Sequence, residues 1–220
     1  MASSDLDLSV YIKHLLRSSV AWDAFQRVKD RSRVALWEKA GKPEPPPHVI
    51  KRDILLSHAT MYKCPILIES GTYLGDMIYA MRDRFQTIVS IELSNDLAKR
   101  AKRRFRAYPH IQILSGDSGE VLPQILSNIS TPCLLWLDGH YSGGVTAIGR
   151  AETPVMKELM TILRHEVKHH VILVDDARCF NGTKGYPTID ELKALITQNG
   201  PSYDLSIAND VIQIRPRKAA

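Results

Sequence analysis

The sequence is poor in cysteine and in aromatic residues, and it contains no long apolar run. Its three cysteines, Cys64, Cys133 and Cys179, have neither paired nor metal-like spacing. That excludes a disulfide framework and a cysteine-built metal centre, and it points to small buried hydrophobes in a reducing, cytoplasmic protein. No stretch approaches about 18 consecutive apolar residues, so no membrane span and no membrane partner is expected. The opening "MASSDLDLSVYIKHLL" has early acids and no basic-then-apolar segment, unlike a signal peptide. Internal repeats, low-complexity segments and a G-x-G-x-x-G dinucleotide fingerprint are all absent. Aromatics make up only 7% of the chain, which argues against a flat phenolic substrate. A net charge of +5 permits contact with phosphates without requiring it.

What is present is an alternation. In a chain of 220 residues one core plus an appendage is expected. Over residues 1–42, Leu8, Tyr11, Ile12, Leu15 and Leu16 recur at helical spacing, and "GKPEPPP" (41–47) then breaks the helix. Residues 1–47 therefore read as a helical extension that covers the core or a partner subunit, a route to a homodimer. Residues 48–220 read as an α/β domain. "HVIKRDILLSHATMY" is helical and leads into strand candidates at 65–70, 87–93, 111–116, 133–138 and 170–176. Helical patterns follow at 76–84, 95–106, 119–128, 154–166 and 188–198. Strands and helices alternating at these lengths imply βαβ units and a parallel sheet. "YDLSI" and "VIQIRP" flank the short link "AND", which predicts a C-terminal antiparallel hairpin. The fold class is thus α/β, a Rossmann-like, mostly parallel seven-stranded sheet. Five βα units followed by a hairpin is the order of the class I methyltransferase fold.

Polar residues gather at the predicted strand ends, where open α/β sheets bind ligands. The first strand runs into "ESGTYLGD", in which Gly71 and Gly75 let the backbone turn sharply and approach a ligand. Glu92, in "SIELS", ends the second strand about twenty residues after that loop, a position suited to accepting both hydroxyls of a ribose. Asp117 and Ser118, in "SGDSGE", follow the third strand and suit an adenine edge, a helix cap, or both. "LLWLDGHYSGG" ends the fourth strand at Asp138, and "VILVDDAR" ends the fifth at Asp175 and Asp176. Three carboxylates converging on one volume repel one another. A hard cation such as Mg²⁺ resolves the conflict, and so do ion pairs with Arg178, Arg150 or Lys184.

Together these residues resemble the class I S-adenosylmethionine-dependent methyltransferases over about residues 48–216. The resemblance is strongest to the metal-dependent O-methyltransferase branch of catechol, caffeoyl-CoA and macrolide-sugar types. "ESGTYLGD", "IELS", "GDSGEVLP", "WLDGHYSGG", "ETPVMKEL" and "VDDAR" also read like a bacterial group of methyltransferase-like proteins of undefined substrate. The resemblance implies that Glu69, Gly71, Thr72 and Gly75 line the methionine part of S-adenosylmethionine. It further implies that Glu92 holds the ribose, Asp117 and Ser118 the adenine, and Asp138, Asp175 and Asp176 a Mg²⁺ ion that binds the acceptor oxygen. Two positions depart from the branch. Tyr141 stands where the catechol type has a lysine base, which leaves His140 as the candidate base beside Asp138. Asp176 stands where the small-phenol enzymes often have Asn.

The polar segment "SGGVTAIGRAETP" (142–154) is read as an acceptor-side loop. Tyr141, Arg150 and Glu152 are available there to a polar acceptor, with Arg178 opposite, in "ARCFNGTKGYP" (177–187). The expected reaction is O-methylation of a small-molecule or sugar/glycan hydroxyl. The alternatives are an RNA-binding or RNA-modifying methyltransferase, with "KRAKRRFR" (99–106) as its electrostatic footprint, and a non-catalytic interaction protein on the same fold. The first alternative is weakened because Phe105 is the only aromatic residue interleaved in the basic run, at a position expected to face the core.

Overall fold

The computed structural model describes residues 20–138, 154–183, 185–200 and 202–217. These residues fall into two compact units, one ending at Ile50 and the other beginning at Lys51. In the first unit, helix α1 (Val20–Lys39) stops where Gly41 turns left-handed at φ 84°. The following prolines cannot continue a helix, and the Trp37 indole N–H donates to the Pro43 carbonyl at 2.7 Å. No helix among the described residues is long and apolar enough to cross a membrane.

Helix α2 (His48–Tyr62) leads into the second unit. Seven strands follow: β1 (Ile66–Ser70), β2 (Thr87–Glu92), β3 (Ile111–Ser115), β4 (Leu134–Leu137), β5 (Val171–Val174), β6 (Tyr203–Ala208) and β7 (Val211–Pro216). Helices α3 (Asp76–Met81), α4 (Asn95–Arg104), α5 (Ser118–Leu126), α6 (Val155–Arg164) and α7 (Ile189–Asn199) connect them. The strands form one sheet in the order β3-β2-β1-β4-β5-β7-β6, with β1 to β5 parallel and β7 antiparallel to both β5 and β6. This is the expected mostly parallel sheet with its C-terminal hairpin.

The apolar runs are continuous because both sheet faces are covered. On one face Ile68, Leu135, Leu137, Ile172 and Val174 pack with Leu122, Leu159, Leu163 and Leu192 of α5, α6 and α7. On the other, Leu67, Leu134, Trp136, Val171 and Leu173 pack with Leu55, Ile78, Met81 and Ala101 of α2, α3 and α4, and with Phe105. The period-2 alternation thus distributes "LLWL" between two cores, each side chain contributing about 1.5–3 kcal/mol. The hairpin turns through Asn209 and Asp210, both at positive φ (51° and 61°), as a two-residue connection of right-twisted strands requires. Asp117 caps α5 and Thr188 caps α7 in a reciprocal box with Glu191. Because β1 lies between β2 and β4, the strand order reverses there, the place where open α/β sheets bind ligands in a crevice at the carboxyl edge.

Candidate active site

At that crevice the chain leaves β1 through a loop tied down on every side. Gly71 takes φ 87°, and its N–H donates to the Ile91 carbonyl at 2.9 Å, holding the loop against β2. Gly75, at φ 75°, opens α3; a Cβ there would lie 2.7 Å from Cε2 of buried Phe105. Arg104 reaches back from α4 to donate to the Leu74 carbonyl and to Asp76 Oδ1. One arginine of the basic run is therefore turned inward as a loop strut, and Phe105 faces the core.

Beneath the loop runs a buried polar chain. The Ser90 hydroxyl donates to Glu69 Oε2 at 2.5 Å, so its contact with Thr72 Oγ1 at 2.6 Å is one in which Thr72 donates. Glu69 is 1% exposed, and burial pushes its pKa up to about 8. The Ser90 bond works against that shift, while the Asp138 and Glu92 charges add to it. Glu92, at the end of β2, accepts the Tyr73 N–H on Oε2 at 2.7 Å and the Ser94 N–H on Oε1 at 2.9 Å. Each oxygen keeps one lone pair, so the carboxylate presents two fixed acceptors to a diol. Asp117 accepts the Gly119 N–H at 2.9 Å on Oδ1, and Ser118 beside it is buried. Behind Ser118 lies Glu158 of α6, 1% exposed and pushed by burial to a pKa of about 7. Hydrogen bonds from Ser118 and Ser70 work against that shift, and the Asp117 charge adds to it.

The three aspartates meet where β4 and β5 end. Asp138 donates its backbone N–H to the Ser70 carbonyl at 3.0 Å, and the Asp175 N–H goes to the Leu137 carbonyl at 3.0 Å. Asp175 and Asp176 are 6% and 4% exposed, and Asp176 takes a left-handed φ of 57°. Lys51 Nζ lies 2.6 Å from Asp175 Oδ1 and 3.0 Å from Asp176 Oδ1. Arg178 donates to Asp176 Oδ1 at 2.7 Å and to both carboxylate oxygens of fully buried Asp210 in the hairpin turn. Burial, then the Asp138 and Asp176 charges, push the Asp175 pKa up, and Lys51 opposes them.

The expected Mg²⁺ site is not shown by the described residues. Asp175 Oδ1 already accepts from Lys51 and from the Asp176 backbone N–H at 2.8 Å, and Asp176 Oδ1 accepts from Lys51 and Arg178. Among the described residues no cluster of His, Cys, Asp or Glu is arranged to hold a metal. The ion-pair alternative fits these contacts: Arg178 takes part and so does Lys51, while Arg150 and Lys184 lie outside the described residues.

Glu69, Gly71, Thr72, Gly75, Glu92, Asp117, Ser118, Asp138, Asp175, Asp176 and Arg178 all lie along the carboxyl edge or the loops leaving it. Of these, Arg178, expected to read substrate, is committed to Asp176 and Asp210. His140, Tyr141, Arg150 and Glu152 lie outside the described residues. Two residues escaped the sequence reading. Lys51 shares a helix stripe with Leu55 and His58 at i, i+4 and i+7, and a lysine on a buried stripe signals an anion partner. Glu158, inside "ETPVMKEL", likewise sits on the apolar stripe of α6 with Val155, Leu159 and Ile162.

No protein-family model matches the chain, and no curated protein matches it. Solved structures do. The O-methyltransferase TomG of Streptomyces achromogenes, involved in tomaymycin synthesis and solved with S-adenosylmethionine, is 11% identical with a TM-score of 0.58, over 86% of this chain and 89% of that one. The Bacillus cereus O-methyltransferase bound to S-adenosylhomocysteine is 13% identical with a TM-score of 0.57, over 86% and 90%. The Podospora anserina methyltransferase PaMTH1, also bound to S-adenosylhomocysteine, is 18% identical with a TM-score of 0.55, over 76% and 78%. The chain has the fold of the class I S-adenosylmethionine-dependent methyltransferases.

Proposed function

We propose that the protein is an S-adenosylmethionine-dependent methyltransferase that methylates an oxygen of a small-molecule or sugar/glycan hydroxyl. The observation that carries this reading is Glu92, whose two oxygens are fixed by the Tyr73 and Ser94 N–H groups beside a crevice rimmed with carboxylates. That donor set fits a cationic sulfonium cofactor with a ribose diol. Glu92 would hold the ribose, Asp117 and Ser118 the adenine side, and Glu69, Gly71, Thr72 and Gly75 the methionine side. When bound, S-adenosylmethionine supplies an activated methyl group.

The chain's own contribution is to hold an acceptor oxygen in line with that group, which alone is worth several kcal/mol of barrier. His140 is the residue proposed to take the hydroxyl proton. No step in this reading is derived through magnesium; Lys51 and Arg178 pair with Asp175, Asp176 and Asp210. A hydroxyl-rich acceptor is favoured by the low aromatic content of the sequence and the polar composition of 142–154 and 177–187. RNA is disfavoured because Phe105, the one aromatic residue of the basic run, packs in the core and offers no base a stacking surface.

The test is release of S-adenosylhomocysteine with separate panels of sugars, glycans, catechols and RNA. Turnover with a hydroxylated small molecule or glycan is expected. Turnover with RNA alone would replace the acceptor assignment, and none with any panel would leave only the fold.

A further inference from the structure

We propose that Lys51 is a built-in cation of the acceptor site, standing where the resemblance to metal-dependent enzymes implies a divalent ion. Lysine is among the residues least often buried, and a buried one needs an anion partner. Here the Lys51 side chain is 11% exposed, and its ammonium bridges Asp175 and Asp176, themselves 5% and 6% exposed at the side chain. Its stem lies on the same helix stripe as fully buried Leu55, so packing of α2 against the sheet fixes where the charge falls.

The two bridged oxygens have no room for a second cation. Each Oδ1 has two lone pairs, and both are taken: on Asp175 by Lys51 and the Asp176 N–H, on Asp176 by Lys51 and Arg178. Magnesium needs oxygens at about 2.0–2.1 Å in near-octahedral array, so an ion on Asp175 Oδ1 would sit within roughly 5 Å of the ammonium. Two of the three Lys51 N–H groups are used on the aspartates, and the third is assigned to a ligand oxygen. A tethered ammonium needs no loading, so the site works in the absence of divalent metal. This role rests on the methyltransferase reading, but the charge relation is testable without cofactor.

The experiment uses the full chain, treated with EDTA and then freed of it, in two measurements. Mn²⁺ titration followed by electron paramagnetic resonance counts bound metal, and thermal melting with MgCl₂ against NaCl of equal ionic strength reads stabilisation. Wild type is expected to leave the free Mn²⁺ signal unchanged and to show no Mg²⁺-specific Tm shift. Lys51→Met exposes the aspartates to mutual repulsion; its Tm should fall by about 10 °C. Millimolar Mg²⁺ should restore part of that loss, and the variant should bind Mn²⁺. Lys51→Arg should stay close to wild type in both measurements. One Mn²⁺ per wild-type chain at micromolar affinity would overturn the proposal even if Lys51→Met failed to fold. A Lys51→Met protein as stable as wild type and indifferent to metal would overturn it too. Loss of S-adenosylmethionine binding, measured separately, would defeat the methyltransferase reading and leave the metal result standing.

Discussion

Replacing Gly75 by alanine tests the loop that joins β1 to α3. Gly75 has φ 75°, and a non-glycine residue there loses about 1–2 kcal/mol. The new methyl would also sit 2.7 Å from Cε2 of Phe105, closer than real carbon–carbon contacts, and a tight 3.1 Å from Cζ. Phe105 is 2% exposed and belongs to the core shared with Leu67, Ile78 and Met81, so its ring can move only by disturbing packed neighbours. Overpacking of that kind costs about 1–3 kcal/mol. Alanine recovers about 0.4–1 kcal/mol by restricting the unfolded chain. The net expectation is a loss of about 2–4 kcal/mol, read as a lower urea midpoint at unchanged slope by far-ultraviolet circular dichroism. In a Phe105→Leu background the steric part is relieved, so the double-mutant cycle should show coupling of about 1 kcal/mol or more. A loss below about 1 kcal/mol, or strictly additive effects, would refute the close approach of loop and ring.

Other perturbations reach different parts of the fold. His170 is fully buried; its Nδ1 accepts the Cys133 N–H at 3.0 Å, and its Nε2 faces His165 Nδ1 at 3.0 Å. Burial first, then the His165 charge, lowers its pKa to about 4. The unfolded chain therefore binds the extra proton between about pH 6.5 and 4, and roughly 3 kcal/mol of stability is lost as the pH falls through that window. Glu69, raised to about 8, acts in the opposite sense, its stability contribution being lost as pH rises from about 4.5 towards 8. The His170 effect is therefore read as the difference between wild type and His170→Asn, whose Oδ1 keeps an acceptor for Cys133; the variant's acid arm should be flatter, and equal slopes would exclude the effect. Thr188→Ala removes the capping box at α7 and should lower stability by about 1 kcal/mol in urea titration.

The fold was legible because the hydrophobic period changes cleanly along the chain. "LLWL" has no polar face since both its faces meet helices, and "AND" has the residues that tolerate two successive positive φ values. The positions of the glycine loop after β1 and of Glu92 at the end of β2 were legible because apolar strands stop abruptly there. The counter-charge of the aspartates was not. Asp138, Asp175 and Asp176 look the same in sequence whether a metal or an ammonium balances them, and Lys51 lies 125 residues before Asp176. Arg178, two residues from Asp176, could be weighed as a partner; Lys51 could be found only by asking why a lysine shares a stripe with Leu55. Glu158 was hidden for the same reason, as an acid on an otherwise apolar helix face whose neighbours, Ser70 and Ser118, come from distant strand ends.

The central claim is that the crevice beside β1 binds S-adenosylmethionine through Glu92. Its most direct test is calorimetric titration of wild type and of Glu92→Gln with the cofactor at matched folded fraction. The account predicts one site per chain at micromolar affinity for wild type. Glu92→Gln should bind about 10–100-fold more weakly, because a charge-assisted acceptor pair is lost. No binding by wild type, or equal affinity for both proteins, would contradict it.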